Sequence, residues 1–500
     1  MNDDNSPKPQ LIPGLTLGHT VALAIGSVIG NGVFLKSAVM AQTVGSPGWV
    51  LAAWVVAGVL SMAGALTYGE LGALLPRVGG EYVYLRESYG DALAFLYGWT
   101  GFVVTSTGSI AAIGASFATF SASLLPINQV WFHHTYRVFG QTVHWQFGAQ
   151  QVVAVSAILF LSSINCVGVV LAGWLQTLMT ILKIAGIVLI VSGVFFFSRG
   201  ATFAHFASPT ATHGWPGLAA FGTAMLAALW AYNGWNQVPM VASEVQRPER
   251  NLPRALVLGM VIVVVVYLFS NASYFFALPF GEITSANSTE YRQALPVAAK
   301  AAQTFLGTYG VPLVSVVFVI SVLGTLNACI LTFARVPYAM ASDGLFFRSF
   351  ARVNSATHVP VVAIVLQAVW SSILAVSGTY DQLTDYAVFA MWIFYALATS
   401  SVFILRKKMA DKPRAYRTPA YPILPAVFLM MAMWLVWNTI HTRPLESTCG
   451  LAVIALGIPF YMYFWRKGRR AGRRDGERQE ASRLLPGYSD SCDGAGKLTR

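Results

Sequence analysis

Residues 26–33 read Gly-Ser-Val-Ile-Gly-Asn-Gly-Val and lie in the middle of the first long apolar segment of the chain. Gly26, Gly30 and Gly32, with Ser27 and Asn31 between them, make a poor helix interior. Each glycine costs about 1 kcal/mol relative to alanine. In lipid, a freed backbone group is tolerated only where it lines a cavity or packs on protein. The stretch is therefore expected to interrupt the helix, leaving a half-helix N-terminus and a set of free carbonyls presented to a ligand.

The chain around it reads as a polytopic membrane protein. It has 500 residues, 56% hydrophobic and 10% charged, with a mean hydropathy of +0.59, far from the composition of a soluble enzyme. Apolar runs long enough to cross ~30 Å of hydrocarbon recur near residues 16–40, 48–74, 92–124, 149–168, 174–198, 217–243, 253–278, 309–340, 360–378, 384–405, 421–440 and 447–465. The expectation is an all-α fold of twelve spans.

Lysine and arginine set the orientation. With the N-terminus inside, the inner side carries Lys8, Arg77, Arg86, the Arg247/Arg250/Arg254 loop, Arg348, Arg352, the basic run from Arg406 to Arg417 and the basic tail from Arg466. The outer side has only Arg137, Arg199, Arg292, Lys300 and Arg443. Both termini are thus expected in the cytoplasm, at a cell membrane. The net charge of +12 then faces anionic lipid and needs no nucleic acid as partner. The Gly/Ser/Asp-rich tail, 466–500, is expected to be disordered.

Several features exclude other classes. Cys166, Cys329, Cys449 and Cys492 are scattered, without disulfide or metal spacing. His133, His134 and His144 lie between spans three and four with no acid or cysteine beside them, so no metal site is expected. No HExxH, GxSxG or clustered His/Asp set supports an enzyme, and no cofactor is implied. The first segment is too internal for a cleaved signal peptide. Asn287-Ser-Thr is a glycosylation sequon in an outer loop.

Along the chain, YGELGALLPRVGGEYVYLRESYG (68–90) mixes Glu70, Arg77, Glu81, Arg86 and Glu87 with tyrosines. It reads as a short interfacial helix, either an inner gate or a set of headgroup-level anchors. Lys183 stands about 13 Å from the inner end of span five, at 1.5 Å per residue. It must face the protein interior and find an acceptor or lose its proton. Span six repeats the oddity of span one, with Asn233, Gly234, Asn236 and Pro239 inside an apolar run. Paired interruptions at matching positions of two halves, here 15–198 and 217–405, point to the binding site of an inverted-repeat transporter. Thr325 and Asn327 add a polar pair in the third span of the second half. Residues 1–14 remain as an N-terminal tail and 421–465 as two added spans.

At these residues the chain resembles the amino acid-polyamine-organocation family of transporters, and more narrowly its L-amino acid transporter-like branch. The likeness runs from about Leu15 to Arg417. It rests on GSVIGNGVF (26–34), AYNGWNQVPMVASEVQRPERNLPRAL (231–256), YGELG (68–72) with GGEYVYLRESYG (79–90), and LGTLN (323–327) followed by Arg335 and ASDGLF (341–346). The resemblance implies a LeuT-like five-plus-five inverted repeat with discontinuous helices 1 and 6 and two C-terminal helices. It implies that backbone amides of Asn31, Gly32 and Val33 hold a substrate carboxylate, and that carbonyls of Ser27, Val28, Trp230, Ala231 and Asn233 accept from its ammonium. Trp230 falls at the aromatic gate and Asn327 at a polar pocket position, near Cys329. Lys183 matches a fifth-helix lysine that would replace a sodium ion by bridging the first helix to Thr332. Departures are Asn31 in place of a small Ser or Thr, Asn233 where relatives have Gly, Asp or an aliphatic residue, and an outer loop lacking the cysteine that joins a heavy chain.

The resulting expectation is a sodium-independent secondary transporter of amino acids working by alternating access as an exchanger, with no heavy-chain partner and an unspecified oligomeric state. Neutral substrates are expected because no Asp or Glu occupies the central part of a span. A proton-coupled permease, a cationic amino acid or polyamine antiporter, and a non-transporting nutrient sensor are the alternatives.

Overall fold

The first apolar segment does not form one helix. In the computed structural model of the chain, α1 (Leu17–Val28) stops and α2 (Gly32–Val44) restarts three residues later. The structure describes residues 10–138, 141–207, 214–288, 290–291, 294–377, 380–442 and 444–484. α1 is capped by the Thr16 hydroxyl, which accepts from the His19 amide. α2 ends on Gly45 in the left-handed region.

From there the chain runs through α3 (Pro47–Leu74), the short α4 (Glu81–Tyr89), and α5 (Asp91–Thr100), which passes through a π-turn at Gly101–Thr105 into α6 (Ser106–Ser121). Such π-turns occur often at functional sites. A hairpin follows, β1 (Val130–Val138) antiparallel to β2 (Gln141–Gly148), pairing His134 with Trp145. The all-α expectation left this stretch as a loop. Its β-branched and aromatic residues suit a pleated pair instead.

Then come α7 (Ala149–Val167), α8 (Val169–Phe197), α9 (Leu218–Ala231) with a 3-10 run at Trp235–Glu244, α10 (Pro248–Ala277), α11 (Phe280–Thr284), α12 (Val297–Leu306), α13 (Gly310–Phe333), α14 (Arg335–Ser342), α15 (Val361–Ser377), α16 (Tyr380–Lys408), α17 (Ile423–Thr442) and α18 (Pro444–Leu484). Among the described residues, ten helical runs are long and apolar enough to cross a membrane. α15 is apolar but shorter, and the sixth apolar segment is divided between α9 and the 3-10 run.

α18 extends to Leu484, into the stretch expected to be disordered, because its Arg, Glu, Gln and Ala residues are good helix formers. Residues 1–9 and 485–500, Arg292 and Arg443, and Thr289 of the sequon lie outside the described residues.

Position in the bundle follows composition. Most residues of α1 and α13 are buried, and small residues let their neighbours approach. A β-carbon at Gly26 would lie 1.8 Å from Gln176 of α8, and one at Gly259 of α10 would lie 2.7 Å from Ala24. α7, α8, α10 and α17 turn large apolar side chains such as Phe160, Leu178, Val265 and Trp437 outward, the surface that lipid would cover.

Candidate substrate site

At the first break, the carbonyls that α1 cannot use are taken up by side chains. Lys183 of α8, fully buried, donates to the Ile29 carbonyl (2.6 Å) and the Gly26 carbonyl (3.1 Å). Its ammonium also lies 3.4 Å from Thr325 Oγ1 of α13. Thr325 Oγ1 is 3.0 Å from the Gly26 carbonyl, and Ser321 Oγ is within 3.1–3.2 Å of the Ile29 and Gly30 carbonyls. One ammonium and two hydroxyls thus tie α1 to α8 and α13. Bonds from a charged donor are the strong ones in such a setting.

The bridge inferred from sequence therefore has a different partner. Thr332 Oγ1 lies 2.8 Å from the Ala328 carbonyl and 3.2 Å from Gln237 Oε1, its one hydrogen shared between them, and it accepts nothing from Lys183. It stands seven residues beyond Thr325, about 10 Å along the helix at 1.5 Å per residue. Thr325, which the sequence marks only as a polar residue beside Asn327, does the bridging.

The second break is closed by rings and backbone. α9 ends at Ala231, and Gly234 adopts φ 129°, where a side chain would be strained. A β-carbon there would fall 2.4 Å from the Ser27 carbonyl oxygen, so only glycine lets the two breaks touch. Gly32 makes the reciprocal approach, with its β-carbon position 2.5 Å from Ala231 Cβ. Tyr267 of α10 places its hydroxyl between the Val28 carbonyl (3.0 Å) and the Ala231 carbonyl (2.8 Å). Its ring packs on Trp54 and Tyr232. Sequence reading missed Tyr267, since nothing local sets it apart from the other tyrosines. Its single hydrogen cannot fill both carbonyls, so an acceptor remains for a ligand donor.

Between the breaks lies a cavity of ≈ 130 Å³, small against the ~300–1,000 Å³ of drug-sized sites. Of the sequence-predicted residues it brings together Ser27, Val28, Asn31, Gly32, Trp230, Ala231 and Asn233. Gln237, Thr325, Cys329 and Phe333 complete one wall, Ser109 and Ile113 of α6 and Met391 of α16 the other. α2 opens onto the cavity with no side-chain cap from Asn31. Its first amides lack intrahelical acceptors and carry the positive end of the helix dipole, a setting for an anion. One turn beyond, the Lys36 ammonium stands 4.3 Å over the Trp230 ring centroid.

Four predicted residues lie elsewhere. Val33 is fully buried behind the first turn of α2. Lys183 and Thr332 sit beside the cavity as described. Asn327 turns its amide away, accepting from Asn165 (2.9 Å) and donating to Gln176 (2.8 Å), so it braces α7, α8 and α13 instead of lining the pocket.

Below this cavity, toward the face that carries the N-terminal segment, is a second one of ≈ 30 Å³, room for roughly two waters. The two share Ser109, Phe333 and Met391 as a partition. Its lining includes Glu81, which sequence reading left as either gate or anchor. The carboxylate is buried and accepts from Tyr68 (2.7 Å) and Asn236 (3.3 Å).

The same face is cross-linked by ion pairs. Arg335 and Glu244 form a bidentate pair (2.8 and 2.9 Å) fully shielded from solvent. Glu70 holds Arg406, Arg414 and the Thr418 amide. Arg86 joins Asp91 to Asp343, and Arg77 pairs with Glu87. Leu15 adds two backbone bonds, donating to the Glu244 carbonyl (2.8 Å) and accepting from the Gln246 amide (2.9 Å). Among the described residues no cluster of His, Cys, Asp and Glu has the makings of a metal site.

Residues 15–457 match a family described as amino acid permease. The chain is 33% identical over 473 residues to the serine/threonine exchanger SteT of Bacillus subtilis, covering 94% of this chain and 99% of that protein. It is 28% identical over 450 residues to the b(0,+)-type amino acid transporter 1 of Mus musculus, 89% of this chain and 86% of the other. It is also 28% identical over 466 residues to the human cystine/glutamate transporter, 93% and 88% respectively.

Proposed function

The chain belongs to the amino acid permease family, within the L-amino acid transporter-like part of the amino acid-polyamine-organocation superfamily, and on that premise we propose that it exchanges neutral amino acids across a cell membrane without sodium. Its relatives are transporters, not enzymes. In this reading the chain has twelve spans, ten of them in two inverted five-span halves, with the N-terminal face and both termini in the cytoplasm. It works without a disulfide-linked heavy chain.

The observation that carries the reading is Lys183. Its ammonium occupies the junction between the broken first helix and α13, where a bound cation would otherwise be needed to hold those carbonyls. A fixed internal cation makes sodium unnecessary. The substrate carboxylate docks on the amides of Asn31, Gly32 and Val33, and its ammonium on carbonyls around Ser27, Val28, Trp230, Ala231 and Asn233. Trp230 closes over it from the far side.

Two observations support neutral substrates. The relative at 33% identity is by name a serine/threonine exchanger. The Trp230 face that could attract a cationic side chain already carries Lys36, which would repel one.

Proteoliposome uptake of labelled amino acids tests this. Uptake that requires internal substrate and is unchanged when potassium replaces sodium is the expected result. Strict sodium dependence would sink the Lys183 argument, and equal uptake into empty vesicles would sink exchange.

A further inference from the structure

Glu81 is a carboxyl group with only neutral neighbours. It is 1% exposed, at the first position of α4. From α3 it faces Tyr68, from its own helix Tyr84, from α5 Tyr97, from the 3-10 run Asn236, and from α16 Tyr395. Among the described residues no lysine, arginine or histidine pairs with it, although Glu70, Glu244, Asp91 and Asp343 on the same face each have an arginine. Glu70 and Glu244, the other buried acids among the described residues, are thus each neutralised by arginine.

Its surroundings also provide for the protonated form. Asn236 Oδ1 is buried and without a partner, while the same amide's nitrogen donates weakly to Glu81 at 3.3 Å. Rotating that amide by half a turn puts an acceptor where the carboxyl proton would be, so one side chain serves both charge states. Burial pushes the carboxyl up to about 7, against the hydrogen bonds from Tyr97, Tyr68 and Asn236 that pull it down. The group therefore changes charge in the physiological range.

We propose that Glu81 is a proton-binding site belonging to the closed state of the N-terminal face, and that its deprotonation accompanies opening of that face to the cytoplasm. Which side this is follows from the proposed function, in which an exchanger has its N-terminal face in the cytoplasm. Glu81's partners come from α3, α5, α16 and the 3-10 run beyond the second break, so an opening that separates these elements admits water to the carboxylate. In water its affinity for the proton returns toward that of an ordinary glutamate, ~4.3. The closed form thus binds the proton more tightly than the open form. As pH on that side falls below about 7 the closed form gains, and at pH 8 the preference is gone. A proton taken up and released on one side in each half-cycle gives a pH-dependent rate without net proton transport.

The test is exchange in proteoliposomes with pH set separately on each side. Moving the N-terminal-face compartment from pH 8 to pH 6 should slow wild-type exchange several-fold, and the same change on the other side should do much less. Glu81→Gln should exchange at a rate independent of that pH, and Glu81→Asp should keep a shifted dependence. An unchanged pH profile in Glu81→Gln overturns the proposal. If that variant does not fold, infrared titration of the wild-type protein decides instead. A carboxylic acid band that appears between pH 8 and 6, and moves in Glu81→Asp, supports the site; no such band refutes it. The infrared reading is independent of transport mode, so it separates failure of this site from failure of the exchange reading.

Discussion

At the first break, Gly26 to Gly32, one ammonium and two hydroxyls from α8 and α13 fill the exposed carbonyls. At the second, Tyr232 to Trp235, the contacts are a tyrosine hydroxyl, a tyrosine–asparagine bond at Asn233 (2.8 Å), the rings of Trp54 and Tyr267 against Tyr232, and the ring of Tyr68 against Trp235. The two stretches share a composition of glycine and asparagine, yet one is pinned by charge and the other by rings. A buried charge cannot be left without acceptors, so it holds its partners until others replace them. Rings can slide over one another at modest cost. The first break therefore acts as the fixed joint and the second as the adaptable one.

The contrast breaks most sharply at Lys183. Lys183→Met removes the donor to two buried carbonyls, a loss of about 3 kcal/mol or ~100-fold in exchange rate, with the protein still reaching the membrane. Initial-rate exchange measurements check this, and near-normal rates would mean that charge does not hold the joint.

Next come the glycines. Gly32→Ala drives a methyl into Ala231 and should cost about 2 kcal/mol, seen as a lower melting temperature and weaker substrate binding. Gly30→Ala, whose β-carbon would meet only Thr325 at 3.6 Å, should change stability by less than ~0.5 kcal/mol. Equal damage from both would show that backbone freedom, not contact, is what the glycines supply.

Tyr267→Phe should have a smaller effect, about 1 kcal/mol and ~5-fold in substrate affinity, since packing is kept and one shared hydrogen bond is lost. A variant that loses all binding would make the second joint as polar as the first. The smallest transport effect belongs to Asn327→Ala. It should lower the melting temperature by removing the bonds from Asn165 and to Gln176 that cross between helices, yet shift KM by less than ~2-fold. A large KM change would return Asn327 to the pocket.

What could be read in the sequence was whatever a single segment declares. Three glycines in an apolar run, a lysine deep in span five and a second interrupted run are local signals, and the cavity does gather most of the residues around them. What could not be read depends on which distant residue meets which. Lys183 announces a buried charge, but choosing Thr325 over Thr332 needs the axial offset of α13 against α8. Glu81 sits in a charge-rich stretch that looks interfacial, and its burial comes from Tyr97, Asn236 and Tyr395 of other segments together with Tyr68 and Tyr84 of its own. The hairpin was hidden because a search for apolar spans treats whatever lies between them as a loop.

The two backbone bonds of Leu15 bear on the size of the moving parts. They stitch the residue just before α1 to the residues that end the 3-10 run, and Glu244 in that run is locked to Arg335. α1, which precedes the first break, and the 3-10 run, which follows the second, are thus coupled as a single lever, with the glycines at its pivot. A push on the ion pair at one end arrives at Ser27 and Gly234 at the other without either half-helix swinging alone.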